Sequence, residues 1–269
     1  MKQIKLIALD MDGTLLDNKK KISAGNAAAV KKAQGAGIIV TFATGRMFRA
    51  AKHYATDLGL DIPLVVYNGA RIEETVSEKI LGDWPLNREV ANGVINFCHN
   101  NGIYVQTYIH DRLWTYKDCP EVRAYSSLEG VPYEVKGDAM LALPDNPHKL
   151  LVVSNKFSQV KAQIEQLFPG KVVLTSSAEN FIEVMEPGIT KWRAIAMLGK
   201  KLGISQREIM CVGDSDNDVD MLVNAGVGVA MGNAADRVKD QVKIITGDNE
   251  HDGVAMILNQ VLTKQVMVP

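Results

Sequence analysis

The segment Asp10-Met11-Asp12-Gly13-Thr14-Leu15 sets two carboxylates two residues apart. In an extended chain, residues i and i+2 point the same way, so both acids face one site. Carboxylates this close repel unless a cation or a shared proton relieves them. Magnesium, a hard cation that prefers oxygen ligands, is the natural partner. Gly13 lets the chain turn sharply away. Taken alone, such an acidic turn at a strand end is common, and its weight comes from what accompanies it.

Thr44-Gly45-Arg46 offers a hydroxyl and a glycine N–H to phosphate oxygens, and a following helix would add its positive N-terminus. Alone it reads as an N-cap threonine. Lys191 by itself is one lysine among many, but it opens a helical segment upstream of a second acidic cluster. Near a phosphate and two aspartates it would neutralise charge in a transition state. It is expected to matter more for turnover than for folding.

The cluster is Gly213-Asp214-Ser215-Asp216-Asn217-Asp218, which suits a hard metal. A calcium EF-hand would need Gly and Glu where Val219 and Ala225 stand. Gly226, Gly228 and Gly232 invite a dinucleotide-loop reading, but their spacing is wrong, and backbone packing explains them better.

These motifs need elements to hold them. Ile4 to Leu9, Ile38 to Ala43 and Leu64 to Tyr67 read as buried strands, with helices at 26–34 and 46–58 between them and Ser23 as an N-cap. That alternation signals a doubly wound parallel α/β sheet. The pattern returns with a helix at 190–202, a strand at 209–212, a helix at 216–224 and a strand at 227–230. A short helix at 236–239, a strand at 243–246 and a helix at 254–262 follow.

Between Trp84 and Glu186 the patterns differ. Ile103, Val105, Thr107 and Ile109 share a strand face, and 149–154 and 181–185 read as further strands. Val90, Val94 and Phe97 mark one helix face, and Val160, Ile164 and Leu167 another. The expected organisation is an α/β core from residues 1–83 and 187–269, with an α+β insertion at 84–186.

Taken in order, DMDGTL, ATGR, Lys191 and GDSDNDVDML resemble the four motifs of the haloacid dehalogenase superfamily. Asn68-Gly69, Met231-Gly232-Asn233-Ala234, Asp252-Gly253-Val254 and the large insertion are similar to its Cof-type branch. Trp192 departs from the glycine that many relatives carry after the lysine.

The resemblance implies a magnesium-dependent phosphatase. Asp10 is the nucleophile that forms an aspartyl-phosphate, and Asp12 is the acid and then the base. Asp10, Asp214 and the backbone carbonyl of Asp12 bind the metal. The backbone N–H groups of Met11, Thr44, Gly45, Lys191 and Asn217 hold the phosphate. Asp218 orients Lys191 or a metal-bound water, Arg46 and Asn68 face the insertion, and the insertion acts as a cap.

Small phosphorylated metabolites, sugar phosphates first, are the expected substrates. Tyr104, Tyr108, Trp114, Tyr116 and Tyr125 supply flat faces for them, although any one of these is more safely a core residue. A phosphomutase would share the site and differ in releasing no phosphate. A receiver-like module would lack the insertion, and a sugar-phosphate sensor would not need both Asp10 and Asp12.

The net charge of -1 gives no reason for attraction to nucleic acid or an anionic membrane, and Lys19 to Lys21 read as a solvated loop. Three scattered cysteines form no metal or disulfide pattern. No apolar run reaches membrane length, and Asp10 ends the first one too soon for a secretory leader, so a cytoplasmic location is expected.

Overall fold

The computed structural model describes residues 3–176 and 180–263. The chain begins with β1 (Leu6–Leu9), α1 (Ala24–Gly35), β2 (Ile39–Phe42), α2 (Phe48–Asp57), β3 (Pro63–Val66), β4 (Arg71–Glu74) and β5 (Ile80–Asp83). Next come α3 (Arg88–Asn100), β6 (Tyr104–Ile109), β7 (Arg112–Thr115), α4 (Pro120–Glu129), β8 (Tyr133–Val135) and β9 (Leu150–Val153). The elements α5 (Phe157–Leu167), β10 (Val173–Thr175), β11 (Phe181–Met185), α6 (Lys191–Lys201) and β12 (Ile209–Gly213) follow. Then come α7 (Val219–Asn224), β13 (Val227–Ala230), α8 (Asp236–Lys239), β14 (Ile244–Ile245) and α9 (Gly253–Leu262).

The core sheet has the order β14-β13-β12-β1-β2 and is parallel throughout. Every residue of β1 is buried. Ile7 and Leu9 pack with Ala29, Val30 and Ala33 of α1 and with Val254, Ile257 and Leu258 of α9. Leu6 and Ala8 pack with Ala194, Ile195 and Leu198 of α6. Helical layers on both faces explain why β1 reads as an unbroken apolar run. Ser23 caps α1 as expected, its Oγ accepting from Asn26 N at 3.0 Å.

Several boundaries differ from the sequence reading. β3 is not a full parallel neighbour of β2: one bridge, Ala43 to Val65, joins them, and β3 pairs antiparallel with β4 in a β3-β4-β5 sheet. Helix α2 starts at Phe48, because Arg46 and Met47 are spent on the turn. The expected helix at 216–224 is a 3-10 turn, Asp216–Asp218, that leads into α7. Leu167 is 53% exposed, so it is no part of the buried face of α5. Gly228 packs as anticipated, since a Cβ there would lie 2.0 Å from the Leu222 carbonyl oxygen.

A second sheet, β10-β11-β9-β6-β7-β8, is antiparallel except for the β7–β8 pair. Val105, Ile109, Leu150, Val152, Ile182 and Val184 pack beneath α3 and α5. The opposite face carries Tyr104, Gln106 and Tyr108, whose polar tips form a hydrogen-bonded row ending on Tyr125 of α4.

Near the crossing between the two sheets, Asp83 accepts from Arg71 Nε at 2.9 Å and pairs with His148 Nε2 at 2.8 Å. Burial alone would raise its pKa, but His148 and Arg71 prevail and lower it from 3.8 to about 2. A depressed carboxyl contributes stability above its unfolded value and loses it as pH falls through the folded one. Melting temperature should therefore fall more steeply from pH ~4 to ~2 in the wild type than in Asp83→Asn. Parallel slopes would show that the pairing contributes nothing.

Candidate active site

The carboxyl edge of the core sheet gathers the motifs. Leu9 pairs with Phe42 on one side and Val212 on the other, so Asp10, Thr44 and Asp214 leave neighbouring strands at almost one level. The N–H of Asp10 donates to Val212 O at 2.9 Å. Gly13, at φ +81°, turns the chain under Asp214, where a Cβ would come within 2.5 Å of Asp214 Oδ2. Gly69, at φ +97°, does the same at the start of α6: a Cβ there would lie 2.2 Å from Thr190 O. The Thr190 hydroxyl caps α6, which begins with Lys191.

Lys191 is fully buried, and its ammonium donates to Asp10 Oδ1 and Asp218 Oδ1, each at 2.6 Å. Asp218 Oδ2 accepts from the N–H groups of Asp214 and Ser215, each at 3.0 Å. The Thr14 hydroxyl donates to Asp214 Oδ1 at 2.9 Å. Carboxylate oxygens of Asp10, Asp214 and Asp218 lie within 4.8 Å of one another.

Burial, together with the charges of Asp218 and Asp214, holds the Asp10 carboxyl well above its usual range despite Lys191. Burial and Asp218 push Asp214 up to about 7. Three hard oxygen donors around one lysine carry more negative charge than it neutralises, which fits a divalent cation such as magnesium. Because Asp218 has both oxygens committed, Asp10 and Asp214 are the side chains best placed to hold it.

Asp12 is engaged differently. Arg46 Nε and Nη2 donate to its two oxygens, each at 2.6 Å, and Lys20 Nζ donates at 2.7 Å. Burial would raise the Asp12 pKa, but these cations lower it to about 2. Its carboxylate is thus held by cations and is not one of the three whose oxygens lie within 4.8 Å of one another.

A cavity of about 160 Å³ lies above this edge, lined by Asp10, Asp12, Lys20, Thr44, Gly45 and Arg46 among others. The second sheet and α4 close it with Tyr125, Leu128, Glu129, Lys149, Phe181 and Glu183. Lys149 Nζ donates to Gly45 O and Glu183 Oε1, each at 2.6 Å. Asn68 donates to Glu183 at 2.8 Å and accepts from Asn217 at 3.2 Å. Burial pushes Glu129 up to about 7, although the nearby Arg46 opposes it.

Two sequence expectations need correction. The N–H of Thr44 donates to Val65 O at 2.9 Å, so it is not available to phosphate; Thr44 still lines the cavity, and its hydroxyl oxygen accepts from Arg46 N at 3.1 Å. Lys20 is not a solvated loop residue, because it is bent onto Asp12 from a φ of 59°. Among the described residues, no protein group accepts from the N–H of Met11 or Gly45. Of the aromatic residues singled out, only Tyr125 lines the cavity. Glu129, Lys149 and Glu183 were missed, since isolated charges in an α+β segment carry no spacing signal.

A sequence model of haloacid dehalogenase-like hydrolases matches residues 7–258, nearly the whole chain, and the protein belongs to this family. It is 31% identical to the 5-amino-6-(5-phospho-D-ribitylamino)uracil phosphatase YwtE of Bacillus subtilis (strain 168), covering 97% of this chain and 99% of that protein. It is 30% identical to the HMP-PP phosphatase of Yersinia pseudotuberculosis serotype I (strain IP32953), over 96% of each. A solved haloacid dehalogenase-like hydrolase from Bacteroides thetaiotaomicron superposes with a TM-score of 0.88 at 29% identity, covering 96% of this chain and 100% of that one.

Proposed function

We propose that the protein is a magnesium-dependent phosphatase that hydrolyses small phosphate monoesters, sugar phosphates first, through an aspartyl-phosphate on Asp10. The observation that carries this is the buried Lys191 that joins Asp218 to Asp10, which lines the cavity together with Asp12 and Thr44. The names of the relatives, all phosphatases, point the same way.

In this reading a carboxylate oxygen of Asp10 attacks phosphorus and Lys191 offsets charge on the phosphoryl oxygens. The N–H groups of Met11, Gly45, Lys191 and Asn217, with the Thr44 hydroxyl, orient that group. Magnesium, when bound by Asp10, Asp214 and the Asp12 carbonyl, supplies further charge stabilisation. Asp12 protonates the leaving oxygen and later deprotonates the attacking water. As paired here, Asp12 is in its base form. A phosphate dianion entering beside Arg46 and Lys20 competes for their charge, which eases the proton uptake that Asp12 needs as the acid.

Residues 84–186 act as the cap that excludes bulk water and meets the leaving alcohol. The small cavity is suited to small leaving groups, not to polymers. Among the described residues no helix is long and apolar enough to cross a membrane, and a cytoplasmic location accords with three buried free cysteines.

The test is phosphate release from a panel of sugar phosphates, nucleotides and cofactor phosphates. Many phosphates per protein molecule are expected, where a mutase would release almost none. Activity should disappear in a chelator and return with magnesium, while calcium inhibits because its looser coordination can draw both Asp10 oxygens into its shell. Undiminished turnover in the chelator by protein free of metal would rule out the metal role.

A further inference from the structure

The turn Thr44-Gly45-Arg46 carries three successive carbonyls, and backbone carbonyls drawn out of water need donors. Thr44 O accepts from the N–H of Asn68 and Arg46 O from that of Tyr67, each at 2.9 Å, so both donors lie next to β3 in the core. Gly45 O is served differently. Its donor is the ammonium of Lys149, a side chain of the insertion, at 2.6 Å. Lys149 is only 2% exposed, and its ammonium also donates to Glu183 Oε1 at 2.6 Å and lies 5.2 Å from the centroid of the Tyr108 ring. The insertion thus holds one buried cation on one carbonyl of the core.

Glu183 extends the contact to a second loop. Its other oxygen, Oε2, accepts from Asn68 Nδ2 at 2.8 Å. Asn68 Oδ1 then accepts from Asn217 Nδ2 at 3.2 Å, and Asn217 Oδ1 accepts from the Ser215 hydroxyl at 2.8 Å. Each amide is oriented by its neighbour, because its oxygen and its nitrogen have opposite roles. The chain of bonds therefore runs from the insertion to both Gly45 and Asn217, two residues whose N–H groups are assigned above to the phosphoryl group. It closes most tightly at Gly45, where a Cβ would lie 2.9 Å from Asn68 Oδ1 and 3.3 Å from Glu183 Oε1. A glycine between two peptides lets them rotate freely. The bonds to Thr44 O and Gly45 O hold both peptides, and so set the direction of the Gly45 N–H.

We propose that Lys149, held by Glu183, is a positioning residue for phosphoryl transfer that fixes the Gly45 peptide and so completes the phosphate site from the insertion. This rests on the phosphatase reading above. It is distinct from recognition of the alcohol, because the Gly45 N–H serves the group that every phosphate ester shares. Loss of the ammonium should therefore harm all esters alike.

The experiment titrates orthovanadate, a mimic of the phosphoryl group in transfer, into the protein with magnesium and follows the heat of binding. Alongside it, kcat/KM is measured for p-nitrophenyl phosphate and for the best substrate of the phosphate-release panel. Lys149→Met should raise the vanadate Kd and lower both kcat/KM values by about ten- to a hundredfold, the scale of a misplaced binding group. Glu183→Gln keeps the ammonium and the shape but offers one acceptor where two are used, so its losses should be smaller. Melting curves establish folding. If Lys149→Met strands the Glu183 charge and does not fold, the double variant with Glu183→Gln, which buries no lone charge, is required to show the raised Kd. An unchanged vanadate Kd in a folded variant without the ammonium overturns the proposal. A loss confined to one ester also overturns it, since Lys149 would then read the alcohol. If the wild type with magnesium binds no vanadate and releases phosphate from no ester, the phosphatase reading itself fails, and the positioning role falls with it.

Discussion

Replacing Asp10 by Asn should reduce turnover by at least ~10⁴-fold, the scale seen when a covalent nucleophile is removed. The amide is a far poorer nucleophile than the carboxylate, and it forms no acyl-phosphate that water can open. The fold should survive. Asn is nearly the shape of Asp, and Asp10 is one of three carboxylates crowded around one ammonium, so removing its charge relieves repulsion. Melting in chelator should show Asp10→Asn at least as stable as the wild type. Steady-state phosphate release with magnesium, beside that melt, separates lost chemistry from lost structure. Substantial turnover by the variant would remove Asp10 from the mechanism.

Lys191→Met should damage both activity and stability. Met keeps much of the side chain's bulk and discards the charge. Loss of a cation aimed at the transferring phosphoryl group should slow turnover by ~10²–10³-fold. A polar crevice would have left folding untouched, but Lys191 has no exposed surface and both of its partners are buried. Stripping one partner from a buried ion pair typically costs about 3–5 kcal/mol.

The cost has a pH signature. Without Lys191 the Asp10 carboxyl, already held above its usual range, is pushed higher, so the penalty is largest where Asp10 is ionised and shrinks as pH falls and it protonates. Denaturant unfolding in chelator at several pH values measures it. A variant with unaltered stability and unaltered turnover would make the lysine incidental.

The core was legible because its signals are local and repeated. Buried strands such as β1 and β12 are short apolar runs, each followed by an acidic or hydroxyl-bearing turn, and parallel register then brings the turns together without further information. The β13 and α8 boundaries matched the periodicity for the same reason. The strand β3 misled because an apolar run does not reveal whether its partner lies on the parallel sheet or in an antiparallel hairpin.

In the insertion, α4 was not foreseen, although Pro120 at its first turn and Gly130 after its end are start and stop signals. Its mixed composition, PEVRAYSSLE, gives a weak apolar stripe. Missing α4 meant missing Glu129. Lys20 was hidden for another reason: a lysine run is normally solvated, and only the left-handed turn at that residue directs its ammonium to Asp12.

Trapping the covalent intermediate identifies the nucleophile. The protein with magnesium is mixed briefly with a substrate identified in the phosphate-release screen, quenched in acid, and reduced with borohydride, which converts an acyl-phosphate of aspartate to homoserine. Peptide mass spectrometry then locates the change. Homoserine is expected at position 10, dependent on substrate and absent from Asp10→Asn. Reduction at another aspartate, or turnover with no acyl-phosphate formed under conditions that trap it in a known aspartyl-phosphate enzyme, would contradict it.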